Sequence, residues 1–174
     1  KRVSVQKDLD SQKRNLNMYV VSENTSGKLT LANATIKNNL KTWINQYRMI
    51  NDTIDILDPY ILNFGVEFVV RPQRAADKFE VLDRCIEHLR KYFSKVYFIG
   101  ESLYISDIYK ELKDVPGVLD VSRVRLNTKS GGKYSDASIK IDENLSGDGS
   151  MLVIPRNAIL EMKYPDADIV GKIK

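Results

Sequence analysis

Apolar residues recur along this chain with two spacings, and the switches between them lay out its elements. Tyr60, Leu62, Phe64, Val66, Phe68 and Val70 alternate with Ile61, Asn63, Gly65, Glu67 and Val69. That period of two puts the first set on one face of a long strand. Asp58-Pro59 breaks the ribbon before it, because proline cannot donate to a ladder, and Arg71-Pro72 ends it. Before this strand the spacing is helical. Ile36, Leu40, Trp43, Ile44 and Tyr47 fall on one face, Lys37, Asn38, Lys41 and Asn45 on the other, and Asn33 offers an N-cap. The apolar stripe is predicted to face a core. After the strand, Phe79, Leu82, Ile86, Leu89 and Phe93 step by three and four behind Asp77 and Glu80, which match a capping box with acid in place of Ser or Thr.

Shorter signals fill the remainder. Residues 18–21 and 96–99 read as short strands, the second stopped by Gly100. A helix is predicted over 104–113 with Ile105, Ile108 and Leu112 inward, terminated at Pro116-Gly117. The strand over 118–126 changes apolar phase between Val121 and Val124, which predicts a β-bulge near Ser122 or Arg123. A loop centred on Gly131-Gly132 follows, then three short strand candidates at 138–141, 151–154 and 158–162. The class predicted is α+β: a small mixed sheet with helices packed on one face, in ferredoxin-like or split β-α-β order, plus a β-rich C-terminal appendage. The expected division is a linker or partner-ordered segment over 1–17, an α+β core domain over 18–130 and the appendage over 131–174.

Bulk properties narrow the function classes. With 174 residues and 43% hydrophobic residues the chain can build its own core. No apolar run approaches the roughly 18–20 residues of a membrane span, and no signal-peptide pattern opens the chain. The start at Lys1 rather than Met suggests a piece of something longer. One cysteine, Cys85, allows no intrachain disulfide. The net charge of +4 is mild. Its one local excess, Lys1, Arg2, Lys7, Lys13 and Arg14, is diluted by Asp8 and Asp10 and falls short of the dense basic stripe of a nucleic-acid binder.

The residues that could carry chemistry are sparse. His88, the sole histidine, sits off its helix's apolar stripe and reads as exposed. Cys85 reads as a small core residue rather than a nucleophile. Asp52, Asp55 and Asp58 read as turn polar groups. The stretch from Asp142 to Asp148 resembles part of a calcium loop, but Val153 stands where the bidentate Glu belongs. Ser130-Gly131-Gly132-Lys133 lacks the spacing of a phosphate cradle. The aromatics Tyr60, Phe64 and Phe68 share the predicted core face, not the exposed face of a base-stacking sheet. No catalytic residue, cofactor or metal ligand is predicted, and no small-molecule substrate, membrane or nucleic-acid partner. The weighed alternative is a nucleic-acid-binding module of ferredoxin-like shape.

A resemblance carries the reading further. The segments 29–41 and 44–50, the strand region 54–68, Leu103 to Leu112, Val115 to Val121, Ile154-Pro-Arg-Asn157 and Tyr164 to Gly171, taken in order and spacing, resemble the C-terminal part of baseplate wedge proteins of T-even-like contractile-tailed phages, a family related to the baseplate J proteins. The likeness spans roughly residues 18–171, and no single motif in it is diagnostic. It implies a structural virion subunit, made in the host cytoplasm, that dimerises, contacts other wedge subunits and performs no catalysis. Self-complementary surfaces, not a pocket, serve such a role. The candidate interface residues are Tyr47, Arg48, Met49, Tyr134 and Tyr164, aromatic, Arg and apolar groups left over at element ends.

Overall fold

Two sheets are built on one plan, each around a long strand that is paired along most of one edge and shared by two short strands on the other. The computed structural model describes residues 2–8, 15–49 and 52–174. Lys1, Lys13 and Arg14 of the N-terminal basic cluster lie outside them. In the first sheet β1 (Arg2–Lys7) runs antiparallel to β2 (Asn15–Glu23). The other edge of β2 takes β3 (Leu29–Leu31) antiparallel at its C-terminal end and β4 (Thr53–Leu57) parallel at its N-terminal end. Between β3 and β4 lies α1 (Ala34–Ile44), capped by Asn33, whose side chain accepts from the Thr35 N–H. The stretch 2–7, expected as linker, is thus a strand. Its Val3 and Val5 alternate with Arg2, Ser4 and Gln6, too short a run to read without the partner strand.

The second sheet is centred on β5 (Tyr60–Pro72). Asp58-Pro59 does more than bend a ribbon: it separates β4 from β5, which belong to different sheets. From β5 the chain passes through α2 (Lys78–Phe93), β6 (Leu103–Tyr104) and α3 (Ile105–Lys113) to β7 (Val118–Lys129), which returns antiparallel along β5. The register moves from Val69 opposite Arg123 to Val70 opposite Val121, leaving Ser122 as the anticipated bulge. Residues 96–99, expected as a strand, are irregular. Tyr97 there is buried and meets Phe64 edge-on, so the apolar run is a core plug, not a ladder.

The C-terminal stretch is not an appendage. After α4 (Ile141–Asn144) and β8 (Met151–Leu152), which pairs with β6, come β9 (Ala158–Glu161), α5 (Pro165–Asp168) and β10 (Ile169–Ile173). Both β9 and β10 pair in parallel with β5, on the edge opposite β7. A strand over 138–141 is absent; Ile141 starts the short α4 instead. The fold is α+β, with several sheets and, among the described residues, five helices.

The core lies between the second sheet and helices α2 and α3. Phe64, Val66, Phe68 and Val70 face Val81, Cys85, Leu89 and Phe93 of α2 and Ile108 and Leu112 of α3. The buried line on α2 differs from the expected one: Phe79 is exposed, and Val81 and Cys85 take the inner positions. On the other face, α5 and residues 130–135 cover Asn63 and Gly65, and beyond them Glu67 and Arg71 are open to solvent.

Candidate functional site

The first sheet and α1 form an arm whose apolar side chains are left largely unburied. Helix α1 buries no residue completely. The residues lining the shallow recess between α1 and β4 are mostly polar on the helix side, with Ala34, Lys37, Asn38 and Lys41 set against Asp55, Ile56 and Leu57. Lys37 and Lys41 hold Asp58 and Asp55 at 2.5 and 4.0 Å. The stripe expected to face a core is therefore split: Ile36, Leu40 and Ile44 are half-buried together with Lys37, while Trp43 and Tyr47 are at the surface. Trp43 is 59% exposed, and Tyr47 and Met49 are each 71% exposed. The Trp43 and Tyr47 rings contact each other at 4.9 Å between centroids. Val3, Val5 and Leu31 add to the apolar surface of the arm.

Of the five residues named as interface candidates, three are on this arm. Tyr47 and Met49 are free at the surface, and the Arg48 guanidinium donates to the Asp52 carbonyl at 2.8 Å. Tyr134 and Tyr164 are elsewhere and are engaged within the chain. The Tyr134 hydroxyl donates to Asp168 Oδ1 at 2.6 Å, and the Tyr164 N–H donates to Asp168 Oδ2 at 2.9 Å. The two rings meet edge-on, and Lys28 Nζ lies 3.8 Å from the centre of the Tyr164 ring. Both are half-buried, and these contacts give them a structural role within the chain. The bond to Asp168, aided by burial, pushes the Tyr134 phenol up to about 12.

These tyrosines belong to a joint between arm and body. Glu161 Oε1 accepts the Leu29 N–H at 2.6 Å, and Oε2 accepts Asn63 Nδ2 at 2.8 Å. Asn63 Oδ1 in turn accepts the Ser135 N–H at 2.8 Å. The Arg2 guanidinium donates to the Tyr97 carbonyl at 2.8 Å and to Glu23, and Gln6 Nε2 donates to the Arg156 carbonyl. Asn63, Glu161 and Asp168 are the three buried polar residues among those described, and none was singled out from the sequence. A signal was present, since Asn63 and Glu161 each interrupt an apolar run.

His88 Nε2 is 2.7 Å from Glu111 Oε2, a half-exposed pair between α2 and α3. Cys85 is fully buried, and burial pushes its thiol up to about 11. Asp148 accepts from the Ser146 and Ser150 hydroxyls and the Ser150 N–H, which hold it at about 2. These bonds close the 142–150 turn on itself. Among the described residues no group of three or more His, Cys, Asp or Glu is placed to hold a metal ion. No described helix is long and apolar enough to cross a membrane. No protein-family model and no curated protein sequence matches the chain.

Proposed function

We propose that this chain is a structural subunit of a contractile-tail baseplate, the C-terminal portion of a wedge "hinge" protein, which works by docking and performs no catalysis. The observation that carries the docking is the arm: a tethered sheet and helix with Trp43, Tyr47 and Met49 bare at its surface. Aromatic residues of this kind supply the buried centre of interfaces. The baseplate assignment itself rests on the resemblance of order and spacing along residues 18–171. A ferredoxin-like or split β-α-β order of the body is part of the same proposal, supported by α2 and α3 on one face of the second sheet and by the parallel pairing of β5 with β10.

Sedimentation velocity over a range of concentrations, alone and mixed with wedge subunits of a T-even-like baseplate, tests the reading. Self-association or co-sedimentation is expected, weakened about thirtyfold by Trp43→Ala with Tyr47→Ala, the loss of about 2 kcal/mol typical of interface anchors. A monomer at every concentration that also ignores the wedge subunits overturns it.

The second reading, a nucleic-acid-binding module, draws on the open basic face of the second sheet, where Arg71, Arg123, Arg125 and Lys172 are exposed. That face carries Glu67, Val69 and Val170 between the cations and no aromatic residue among those described, which removes the stacking that single strands use. Salt-sensitive retention of an oligonucleotide on filters would favour it.

A further inference from the structure

We propose that the free edge of β7 is a strand-docking site that takes an extended segment of a partner protein whose apolar and acidic side chains alternate. β7 pairs with β5 on one edge, and its other edge pairs with no strand among the described residues. Along that outer edge runs a groove of about 810 Å³ lined by residues 123–128 of β7, by Ile105 and Tyr109 of α3 and by Ile141 and Leu145 opposite them. The Val124 N–H points into it, because it donates to the Tyr109 hydroxyl at 2.9 Å rather than to β5. Backbone groups of an antiparallel ladder alternate between its two edges. Leu126 and Thr128 therefore also turn outward, presenting backbone N–H and C=O groups along the groove with no strand to receive them. Such an edge is a template for an incoming strand.

The side chains define what that strand carries. Val124 and Leu126 face the core side, where Ile105, Tyr109, Ile141 and Leu145 form apolar walls. Arg123 and Arg125 face the opposite, open side, opposite Val69 and Glu67 of β5, with Lys172 of β10 opposite Val69 on the far edge. Among the described residues neither arginine nor Lys172 makes an ion pair; Glu67 bonds to Asn127 instead. An added strand continues the pleat, so its alternate side chains point to these two sides in turn. One set meets the apolar walls. The other stands beside Arg123 and Arg125, where carboxylates gain cross-strand charge pairing. The surface is distinct from the arm, so this site and the arm reading fail or stand separately.

The test uses a fluorescent hexapeptide of alternating valine and glutamate, with a block-ordered peptide of the same composition, an alternating valine–lysine peptide and an oligothymidylate as comparisons. Amide exchange by NMR supplies the second readout. The alternating acidic peptide is expected to bind and to slow exchange at Leu126 and Thr128, while Arg125 and Asn127, already bonded to β5, change little. Arg123→Glu with Arg125→Glu is expected to weaken that peptide at least about tenfold and to admit the valine–lysine peptide. Equal binding of the block-ordered peptide, or unchanged exchange at Leu126 and Thr128 on binding, overturns the proposal. So does an absence of binding, or preference for the oligothymidylate. Protection of the same amides that rises with protein concentration alone would assign the edge to a second copy of this chain and overturn it as well.

Discussion

Glu161, on the strand β9 of the body, reaches the backbone of Leu29 in the arm: its Oε1 accepts the Leu29 N–H at 2.6 Å while Oε2 holds Asn63. One buried carboxylate thus joins two sheets far apart in sequence. Removing it leaves the buried Leu29 N–H without an acceptor and leaves the buried Asn63 amide only its longer bond, 3.4 Å, to the Glu161 backbone carbonyl, losses of about 1–3 kcal/mol each at most. Glu161→Ala is therefore expected to destabilise the fold by about 3 kcal/mol in urea unfolding, and to speed amide exchange at Leu29 before the body opens. Glu161→Gln keeps one acceptor but sets its NH₂ against the Asn63 NH₂, whose carbonyl is already committed to Ser135. A loss of about 1 kcal/mol is expected for it. Equal stability of all three proteins would show that the joint contributes nothing.

The Tyr134–Asp168 bond makes a pH prediction. Tyr134 is raised from 10.0 to about 12, chiefly because its hydroxyl donates to the Asp168 carboxylate. The folded value lies above the unfolded one, so the folded state favours the protonated phenol. Its contribution is complete below pH 10.0, declines as pH rises through that value, and is lost by about 12. Ultraviolet difference titration should find a tyrosine ionising near the upper value, absent in Tyr134→Phe. Asp168→Asn should move it back toward the ordinary range. An unshifted titration in Asp168→Asn would mean that burial, not the bond, sets the value.

Local periodicity made the body's elements legible and left their assembly hidden. The alternation along 62–70, the stripe on α3 and the phase change at Ser122 each depend on neighbours within one element, and each is found in the fold, whereas Tyr60, expected on the same core face, is 60% exposed at the start of β5. The depth to which α1 buries its stripe depends on residues more than a dozen positions away, Asp55 and Asp58 among them, so Ile36, Leu40 and Ile44 are only half-buried and Trp43 and Tyr47 are left exposed. Phe79 followed the helical spacing yet sits in the first turn of α2, beyond the reach of the sheet. The central place of β9 and the strand β10 itself are not legible in the sequence, because parallel pairing leaves no mark on a short apolar run. Of the candidate interface residues, Tyr47 and Met49 needed only their place past the end of α1. The fate of Tyr134 and Tyr164 depended on Asp168, which has no local signature.

Cys85 has the surroundings of an inert thiol. It lies on the inner line of α2 with Val81 and Leu89, and burial holds the thiol at about 11, from an ordinary 9.0. The thiolate is the reactive form, so at about pH 8 the native protein should react with an aromatic disulfide reagent only as fast as it opens. Reaction within the mixing time in buffer would place the thiol at the surface. Cys85→Ser keeps the size but buries a hydroxyl among apolar side chains, with only the carbonyl one turn back in α2 within reach, and is expected to cost about 1–2 kcal/mol.

Gly171 marks how closely α2 lies on β10. A Cβ at this position would stand 2.5 Å from Leu82 Cδ1 and 2.5 Å from Phe68 Cζ. Leu82 is partly buried and can give at its tip, whereas Phe68 is fixed in the core. Alanine suits a strand better than glycine by its own propensity, so a loose interface would make Gly171→Ala stabilising. The close approach predicts the reverse, a loss of about 1–3 kcal/mol from overpacking. A cycle with Leu82→Ala separates the two contacts. If Leu82 carries part of the clash, the double variant should be more stable than the sum of the single losses by about 1 kcal/mol. Strict additivity would assign the whole clash to Phe68, and a stabilising Gly171→Ala would show that the helix stands further from the sheet than these distances require.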